Sequence, residues 1–362
     1  MDLKDRVQLF ALRLSTNFNK PRNDTEKKML KVAVVGAGYM GSLHASCIAN
    51  NPRAKLVAVV DINAAAGNAL AERHGARYLP SVADALNAEI DAFIVALPDR
   101  LHVAAAVEIL HAGRPVLVEK PLADTLEGAR AIASAAGATG SRVMAGHILR
   151  FDPRYAAAAE SVRRGDIGEV VHVTAGRFGT RNIGMKLNGT SSVCFYIGVH
   201  DVDAIQWITG RRIERVYSRS VSKIMPNQGV DSEDAIMSTL DLSGGAIGSL
   251  FNSWSRPDHG PFVIDGRFEL VGTEGTLEID VRDHGLRILG PDGYRIPDGL
   301  HWPEVNGHIV GDLAAEVDHF LSCILSGAPF VQAIEEAMGA VAVNDAILRS
   351  VTSGNPESVE SI

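Results

Sequence analysis

The sequence has little cysteine, no long apolar run and no excess of basic residues. Its three cysteines among 362 residues lie far apart without a CxxC pair, which predicts a reducing compartment and no cysteine-based zinc site. No run of about 18 apolar residues is present, so we expect no membrane span. A net charge of −8 disfavours nucleic acid and anionic membranes as partners, because both require basic surfaces. We therefore expect a cytoplasmic globular enzyme.

The run around Gly36 is typical of a dinucleotide-binding turn. Val32–Val35 predicts a buried strand, a GxGxxG turn follows, and a helix is expected over 42–50. Gly36 permits the tight turn, Gly38 lets the backbone approach a pyrophosphate, and Gly41 lets the helix pack closely on the strand. The helix N-terminus favours the anionic pyrophosphate.

An acidic residue follows the second predicted strand, Leu56–Val60. The Asp61 carboxylate can accept hydrogen bonds from ribose hydroxyls and repel a 2′-phosphate, which favours NAD over NADP as the cofactor. In this region the predicted NAD-binding residues are Gly36, Gly38, Tyr39, Met40, Gly41 and Asp61.

From about residue 31 to residue 146, apolar strand-like runs alternate regularly with helical stretches, as in βα units. Each run is nearly all apolar, as expected of a parallel sheet covered on both faces. The predicted strands are 32–35, 56–60, 92–96, 116–118 and 142–145, with helices over 64–74, 103–112 and 126–136. Ligands bind at the carboxyl ends of such strands, and we therefore expect the chemistry there.

After Pro153 the pattern changes to a helix over 154–164 and then to strand-like runs separated by glycine-rich turns. These runs are 170–174, 216–221, 235–242, 246–253, 268–271 and 276–279, with further helices over 200–209, 311–325 and 333–352. The predicted fold class is α/β, with a doubly wound parallel Rossmann sheet followed by an α+β domain with a large, open, mostly antiparallel sheet. The predicted segments are an N-terminal extension (1–30), a dinucleotide-binding domain (31–150) and a substrate-binding and oligomerisation domain (151–362).

The first 28 residues combine a short amphipathic stretch with a polar, charged one. Arg13 interrupts the apolar residues and no small-residue cleavage site follows, so we expect no secretory signal. Two interpretations stay open. Either these residues are a poorly ordered extension, or a start assigned upstream of a true start at Met29, or they form an arm that packs on a neighbouring subunit.

Two sequence runs carry residues suited to acid–base chemistry. Lys120 closes a predicted strand, and a partly desolvated lysine there can move a proton or polarise a substrate oxygen. His200 opens a helix with Asp203 one turn later, where a carboxylate can orient the imidazole. The alternatives are a lysine paired with a surface carboxylate and a histidine that caps a helix. We predict no metal, because His200 and Asp203 lack a third ligand and the other histidines, His259, His284, His301 and His308, are scattered through turns.

The order and separation of these runs resemble the glucose–fructose oxidoreductase/inositol dehydrogenase (Gfo/Idh/MocA) family. The matching segments are Val32–Gly41, Ile94–His102, Gly113–Pro121, Arg150–Pro153, Gly198–Asp203 and Trp207–Gly210. The resemblance implies a Rossmann domain, a C-terminal sheet that joins subunits into a homodimer or homotetramer, and hydride transfer at a carbinol of a sugar or cyclitol. It assigns proton handling to Lys120 and His200. Further cofactor contacts are predicted at Leu97, Pro98, His102, Glu119 and Lys120, and substrate contacts at Lys120, Arg150, Arg177, Arg181, Tyr196, His200 and Asp203.

One position departs from the family pattern. Many of its dehydrogenases carry an aspartate four residues before the histidine, and Tyr196 stands there instead. A nearby lysine ammonium would lower the pKa of the phenol and make Tyr196 a proton carrier; alternatively, it only lines the sugar pocket. A second base would suit an NAD-dependent glycosidase that works by oxidation, elimination, hydration and re-reduction. That enzyme, and an NAD-sensing regulator, are the rivals of the dehydrogenase hypothesis.

Three cations, Arg177, Arg181 and Lys186, precede this run in a glycine-containing stretch. In the resemblance this stretch borders the substrate pocket, and arginine offers a bidentate fork to anions. An anionic sugar is therefore one predicted substrate, while solvated loop charges are the alternative.

Overall fold

A computed structural model describes residues 29–291 and 293–362. Within them, a six-stranded parallel sheet has the order β3-β2-β1-β4-β5-β6, which is the doubly wound Rossmann order. Its strands are β1 Leu30–Val35, β2 Ala54–Val60, β3 Arg77–Leu79, β4 Ala92–Val95, β5 Val116–Glu119 and β6 Val143–Gly146. The predicted Rossmann sheet is confirmed. The short and partly exposed β3 was missed, because three residues give no readable periodicity.

Helices connect these strands and cover both faces of the sheet. They are α1 Tyr39–Ala49, α2 Ala64–Arg73, α3 Val82–Leu86, α4 His102–His111 and α5 Leu126–Thr139. The helix predicted from residue 42 begins three residues earlier, because Gly38 at its N-cap already has extended backbone. The turn therefore leads directly into a helix N-terminus.

A seven-stranded sheet follows, in the order β12-β11-β7-β10-β9-β8-β17. All its neighbours are antiparallel except the parallel pair β7 and β10, so the predicted mostly antiparallel sheet is confirmed. Its strands are β7 Val170–Thr180, β8 Ile213–Val221, β9 Ala235–Leu242, β10 Ile247–Arg256, β11 Ile264–Gly272, β12 Thr276–Asp280 and β17 Glu357–Ser358. Four short strands form two separate hairpins: β13 Ile288–Gly290, β14 Gly293–Arg295, β15 Glu304–Val305 and β16 His308–Ile309.

The remaining helices follow in the C-terminal part of the chain. They are α6 Pro153–Arg164, α7 Arg181–Leu187, α8 Val199–Thr209, α9 Ile224–Asn227, α10 Asp312–Ser326 and α11 Ile334–Ser353. Helix α10 packs against the first sheet rather than the second, with Leu313, Val317 and Phe320 in the same core as Val32 of β1, so the C-terminal part of the chain helps to bury the first sheet. The predicted boundary near residue 150 stays a prediction, and the predicted extension falls outside the described residues except for its last two. Among the described residues, no helix is both long and apolar enough to cross a membrane.

Candidate active site

The glycines of the turn after β1 have the geometry that a dinucleotide requires. Gly36 has a φ of +107°, and an added Cβ would lie 2.3 Å from the Ala96 carbonyl oxygen. A Cβ on Gly41 would lie 1.8 Å from the Gly36 carbonyl oxygen, whereas a Cβ on Gly38 would meet no described atom within 4 Å. No described side chain caps α1. The helix N-terminus is therefore open on the side where a pyrophosphate would bind, and the residues present fit NAD.

Asp61 ties the ends of two neighbouring strands together. Its carboxylate accepts the backbone N–H groups of Ala37 and Asn63, each at 2.7 Å. A carboxylate has about four acceptor positions, so two remain for ribose hydroxyls. Its neighbour Ile62 is almost fully exposed and offers an apolar surface beside the Asp61 carboxylate. The contact of Asp61 with a ribose remains a prediction.

The predicted contacts on the other side of the cofactor lie at the ends of β4 and β5. Leu97 is half-buried and Pro98 is exposed. The buried His102 bridges the two loops, because its ring nitrogens lie 2.8 Å from the carbonyl oxygens of Pro121 and Leu97. His102 therefore joins these two loops, and the contacts of His102, Leu97 and Pro98 with NAD stay predictions.

The two residues that follow Gly38 begin helix α1. Tyr39 is 68% exposed and meets the ring of Trp302 edge to face, with centroids 6.3 Å apart. Met40 is half-buried and packs on the core that contains α10. Trp302 lies in the loop before α10, so this loop contacts the start of α1. The contacts of Tyr39 and Met40 with NAD stay predictions.

Lys120 is held at the carboxyl end of β5 by contacts to Tyr196, which lies just before α8. Its Nζ donates a hydrogen bond of 2.7 Å to the Tyr196 carbonyl oxygen and lies 4.5 Å from the centre of the tyrosine ring. Burial lowers the pKa of Lys120, and Arg177 adds to this effect, against the opposite influence of Asp99 and Glu119. The lysine is thus desolvated and placed, as proton transfer requires.

Glu119 precedes this lysine and is buried. Its Oε1 lies 2.7 Å from Nε2 of His44 on α1. Burial opposes the charge of Glu119, but the hydrogen bond and charge of His44, with Lys120, hold the pKa of this carboxyl below its usual value. Glu119 is therefore held as an anion next to Lys120 in the chain, and its contact with the cofactor stays a prediction.

The expectation that Lys120 lowers the pKa of Tyr196 is wrong. Burial raises the pKa of the phenol, and the carboxylates of Asp99 and Glu119 raise it further. Lys120 contacts the ring face and the backbone carbonyl. Its charge therefore does not stabilise a phenolate at Tyr196.

His200 lies at the start of α8, directly after a π-helical turn at Cys194–Gly198. Gly198 is required there, since an added Cβ would lie 2.4 Å from Oδ1 of Asn252. The His200 Nδ1 is buried and has no hydrogen-bond partner among the described residues. Burial, followed by the charges of Lys120 and Arg177, lowers its pKa well below the usual value. The imidazole is neutral near pH 7 and can accept a proton.

The expectation that Asp203 orients His200 is also wrong. Asp203 is buried and accepts two hydrogen bonds from Arg150, at 2.7 and 3.0 Å, and one from Gln332 at 2.9 Å. Arg150 donates further to Glu336 at 3.1 Å. Arg150 and Asp203 join α8 to the segment after β6 through a buried ion pair. Most of their donor and acceptor positions are used within the chain, and their contact with substrate stays a prediction.

The cations expected to bind an anionic sugar are already engaged or exposed. Arg177 is buried and pairs with Asp201, with its shortest contact at 2.9 Å, and also donates to the hydroxyl of Tyr155. Arg181 donates to the Ser255 carbonyl oxygen at 3.1 Å, and Lys186 is exposed. Because Asp201 neutralises Arg177, the main argument for an anionic substrate is lost. The sequence did not reveal this ion pair.

Two further groups of this site escaped the sequence prediction. Asp99 lies beside Lys120 and accepts a hydrogen bond from Ser191 at 2.7 Å. His147 follows β6, is buried, and has neither ring nitrogen hydrogen-bonded among the described residues. Both follow the carboxyl ends of parallel strands, so the same rule that located Lys120 could have found them.

Comparisons with known proteins agree with this geometry. The family model described as "Oxidoreductase family, NAD-binding Rossmann fold" matches residues 30–147, and the GFO/IDH/MocA C-terminal domain matches residues 155–278. The chain belongs to the GFO/IDH/MocA oxidoreductase family. This family includes NAD-dependent sugar and cyclitol dehydrogenases, so the predicted family, cofactor and enzyme class are confirmed.

Several relatives match this GFO/IDH/MocA chain over nearly its whole length. An inositol 2-dehydrogenase of Rubrobacter xylanophilus is 30% identical, across 94% of the chain and 96% of the relative. An inositol 2-dehydrogenase of Rhizobium meliloti is 27% identical, across 91% and 99%. The crystal structure of GenD2 from gentamicin A biosynthesis, in complex with NAD, superposes with a TM-score of 0.82 at 26% identity, across 95% and 100%.

Proposed function

We propose that this protein oxidises one carbinol of a cyclitol, such as inositol, or of a related uncharged sugar, with NAD as the hydride acceptor. The observation that carries the proposal is the hydrogen bond of 2.7 Å from Lys120 Nζ, at the carboxyl end of β5, to the carbonyl oxygen of Tyr196 in the turn directly before α8. This contact supports a placement of the lysine charge near His200 at the start of α8, where burial and that charge lower the pKa of the imidazole. The names of the relatives supply the substrate class. The engaged state of Arg177 favours an uncharged substrate over an anionic one.

The two groups share the proton chemistry. Neutral His200 accepts the hydroxyl proton of the substrate, because an imidazole with a lowered pKa presents a free lone pair at neutral pH. Lys120 donates a hydrogen bond to the same oxygen and stabilises the negative charge that develops there. Bound NAD supplies the hydride acceptor, and Gly36, Gly38 and Asp61 are the groups that would hold it.

A substrate screen tests the proposal. The purified chain is incubated with NAD and one substrate at a time: myo-inositol, scyllo-inositol, a neutral sugar, a sugar acid or a nitrophenyl glycoside. NADH absorbance and nitrophenol release are followed in each reaction. We expect stoichiometric NADH with at least one cyclitol or neutral sugar. Nitrophenol release without net NADH would replace the dehydrogenase with the NAD-dependent glycosidase. NAD binding without turnover of any substrate would favour the NAD-sensing regulator.

Tyr196 separates these functions further. A glycosidase that uses the phenol as its second base would lose turnover on substitution by phenylalanine. If Tyr196 only lines the pocket and supports Lys120 through its ring and carbonyl, Tyr196→Phe should keep turnover within a few-fold, because both contacts survive.

We further propose that the exposed face of the second sheet joins subunits in a homodimer or homotetramer, and that the enzyme is cytoplasmic. Tyr217 and Met237 are exposed on this sheet. Tyr217 lies opposite Thr239, which is two residues from Met237 on β9, so Tyr217 and Met237 share one face. Exposed apolar residues on a sheet face favour association. Light scattering with Met237→Lys tests this, and a wild-type monomer would refute it.

A further inference from the structure

Three side chains from distant parts of the sequence meet at the N-termini of α6 and α10. Asp152 caps the N-terminus of α6, His301 lies in the loop before α10, and Asp312 begins α10. One potential ligand atom from each lies within 4.8 Å of the other two. Both aspartates are buried, and His301 is half-buried.

The Asp312 carboxylate is the member of this group that most favours a bound cation. Its Oδ2 is buried and has no hydrogen-bond partner among the described residues. This carboxylate also lies close to that of Asp152, which brings a second negative charge to the group. A buried carboxylate without compensation is costly, so it needs either a proton or a bound cation.

His301 has its ring fixed by a carboxylate. Its Nδ1 lies 3.1 Å from Oδ1 of Asp298, and the Asp298 carboxylate also accepts the backbone N–H groups of Leu300, His301 and Trp302. Those contacts keep Asp298 an acceptor, so Nδ1 of His301 donates and Nε2 keeps its lone pair. Metal-binding histidines commonly have this carboxylate support on the other ring nitrogen.

Among the three side chains, Asp152 already forms an ion pair within the chain, so Arg154 would compete with a metal ion for its carboxylate. The Arg154 guanidinium lies 2.6 Å from Oδ2. Oδ1 accepts the Arg154 backbone N–H at 2.8 Å and Nε at 3.1 Å, and Oδ2 also accepts Nε at 3.3 Å. These contacts use about all four acceptor positions of the carboxylate, so a metal ion at Asp152 has to displace the guanidinium side chain from at least one oxygen. Arg154 supplies one positive charge to Asp152, while Asp312 remains unpaired. The net charge of the three groups and Arg154 is still negative when Asp312 is ionised.

We propose that Asp152, His301 and Asp312 form a site for one divalent transition-metal ion. Two carboxylate oxygens and one imidazole nitrogen suit zinc(II) or manganese(II), and three protein ligands leave coordination positions for water. The sequence predicted no metal because the ligands come from three separate segments that only the fold brings together.

Two other groups of candidate ligands in the described chain are less suited. In the group His284, Asp298 and His301, the Nδ1 of His284 accepts the Gly299 N–H at 3.2 Å, and Asp298 is occupied by backbone donors. In the group His44, Glu119 and Glu316, His44 and Glu119 already bind each other. His284 and Glu316 therefore provide matched control positions.

Equilibrium dialysis of the full chain tests the proposal. The chelator-treated protein is dialysed against zinc chloride or manganese chloride alone, and bound metal is counted by mass spectrometry. We expect about one ion per chain, with at least tenfold weaker binding in Asp312→Asn and in His301→Gln. His284→Gln and Glu316→Gln should bind as the wild type does. No substrate or turnover is involved, so the result is independent of the proposed dehydrogenase function.

Thermal unfolding provides a second readout. A metal that binds only the folded chain raises the Tm by a few degrees at a hundredfold excess over its Kd, and Asp312→Asn should abolish that shift. If one variant fails to fold, the other decides the result. The proposal is overturned if the wild type binds well under one ion per chain, if the folded Asp312→Asn and His301→Gln variants bind with wild-type affinity, or if only Glu316→Gln loses the metal.

Discussion

The cofactor edge (residues 36–41 with Asp61) and helix α8 use their polar groups in opposite ways. At the cofactor edge, Asp61 binds backbone N–H groups nearby and keeps acceptor positions open. On α8, Asp201 and Asp203 each pair with a buried arginine from another segment, whereas the described residues include no hydrogen-bond partner for Nδ1 of His200. In a run of polar residues, the members with buried partners hold the structure, and the member without one is available for chemistry.

The largest effect is expected at Lys120, where the two regions meet. Lys120→Ala should lower kcat by about 10²–10⁴-fold, because it removes the donor to the reacting oxygen, while NAD still binds. Steady-state kinetics and a cofactor titration measure both quantities. The exposed Lys186→Ala is the control and should keep wild-type turnover. Unchanged turnover in Lys120→Ala would remove this lysine from the mechanism.

The structural role of the α8 aspartates predicts a stability effect. Arg150→Met leaves Asp203 as a buried charge without its main partner, so the free energy of unfolding should fall by about 3–5 kcal/mol. Denaturant titration measures this change. Arg215→Met breaks an exposed pair with Asp241 and should leave stability nearly unchanged. Equal losses in both variants would contradict the assignment of Arg150 to a structural pair.

The sequence predicted the cofactor edge better than α8 for a physical reason. The turn from Gly36 to Gly41 and the acid at the end of β2 are local features, and each requirement can be read from a few adjacent residues. The partners of Asp201 and Asp203 come from strand β7 and the segment after β6, so they depend on the packing of the folded chain. Proximity in sequence suggested that Asp203 orients His200, but Arg150 holds that carboxylate.

A smaller effect is expected at the cofactor edge itself. Asp61→Ala should weaken NAD binding by about ten- to a hundredfold, because a charged hydrogen-bond acceptor is lost. The ratio of the Kd values for NAD and NADP is the informative measurement. Loss of repulsion would improve NADP relative to NAD, whereas simple loosening of the turn would weaken both alike. An unchanged ratio would argue against the ribose contact.

The smallest effect is a displaced pH profile. Burial, with the charges of Lys120, Arg177, His147 and His301, lowers the pKa of His200 well below 6.5. The base must be neutral to accept a proton, so kcat/KM for oxidation should hold as the pH falls through 6.5 and decline only at lower pH. A half-maximal value near pH 6.5 would mean an ordinary, solvated imidazole.

The most direct test of the active-site assignment is a crystal structure of the chain with NADH and a cyclitol that it oxidises. The account predicts one substrate hydroxyl oxygen within about 2.6–3.2 Å of both Lys120 Nζ and a ring nitrogen of His200, with its carbon facing the nicotinamide. A substrate bound with these two side chains on different parts of it, or away from the carboxyl edge of the Rossmann sheet, would contradict the mechanism.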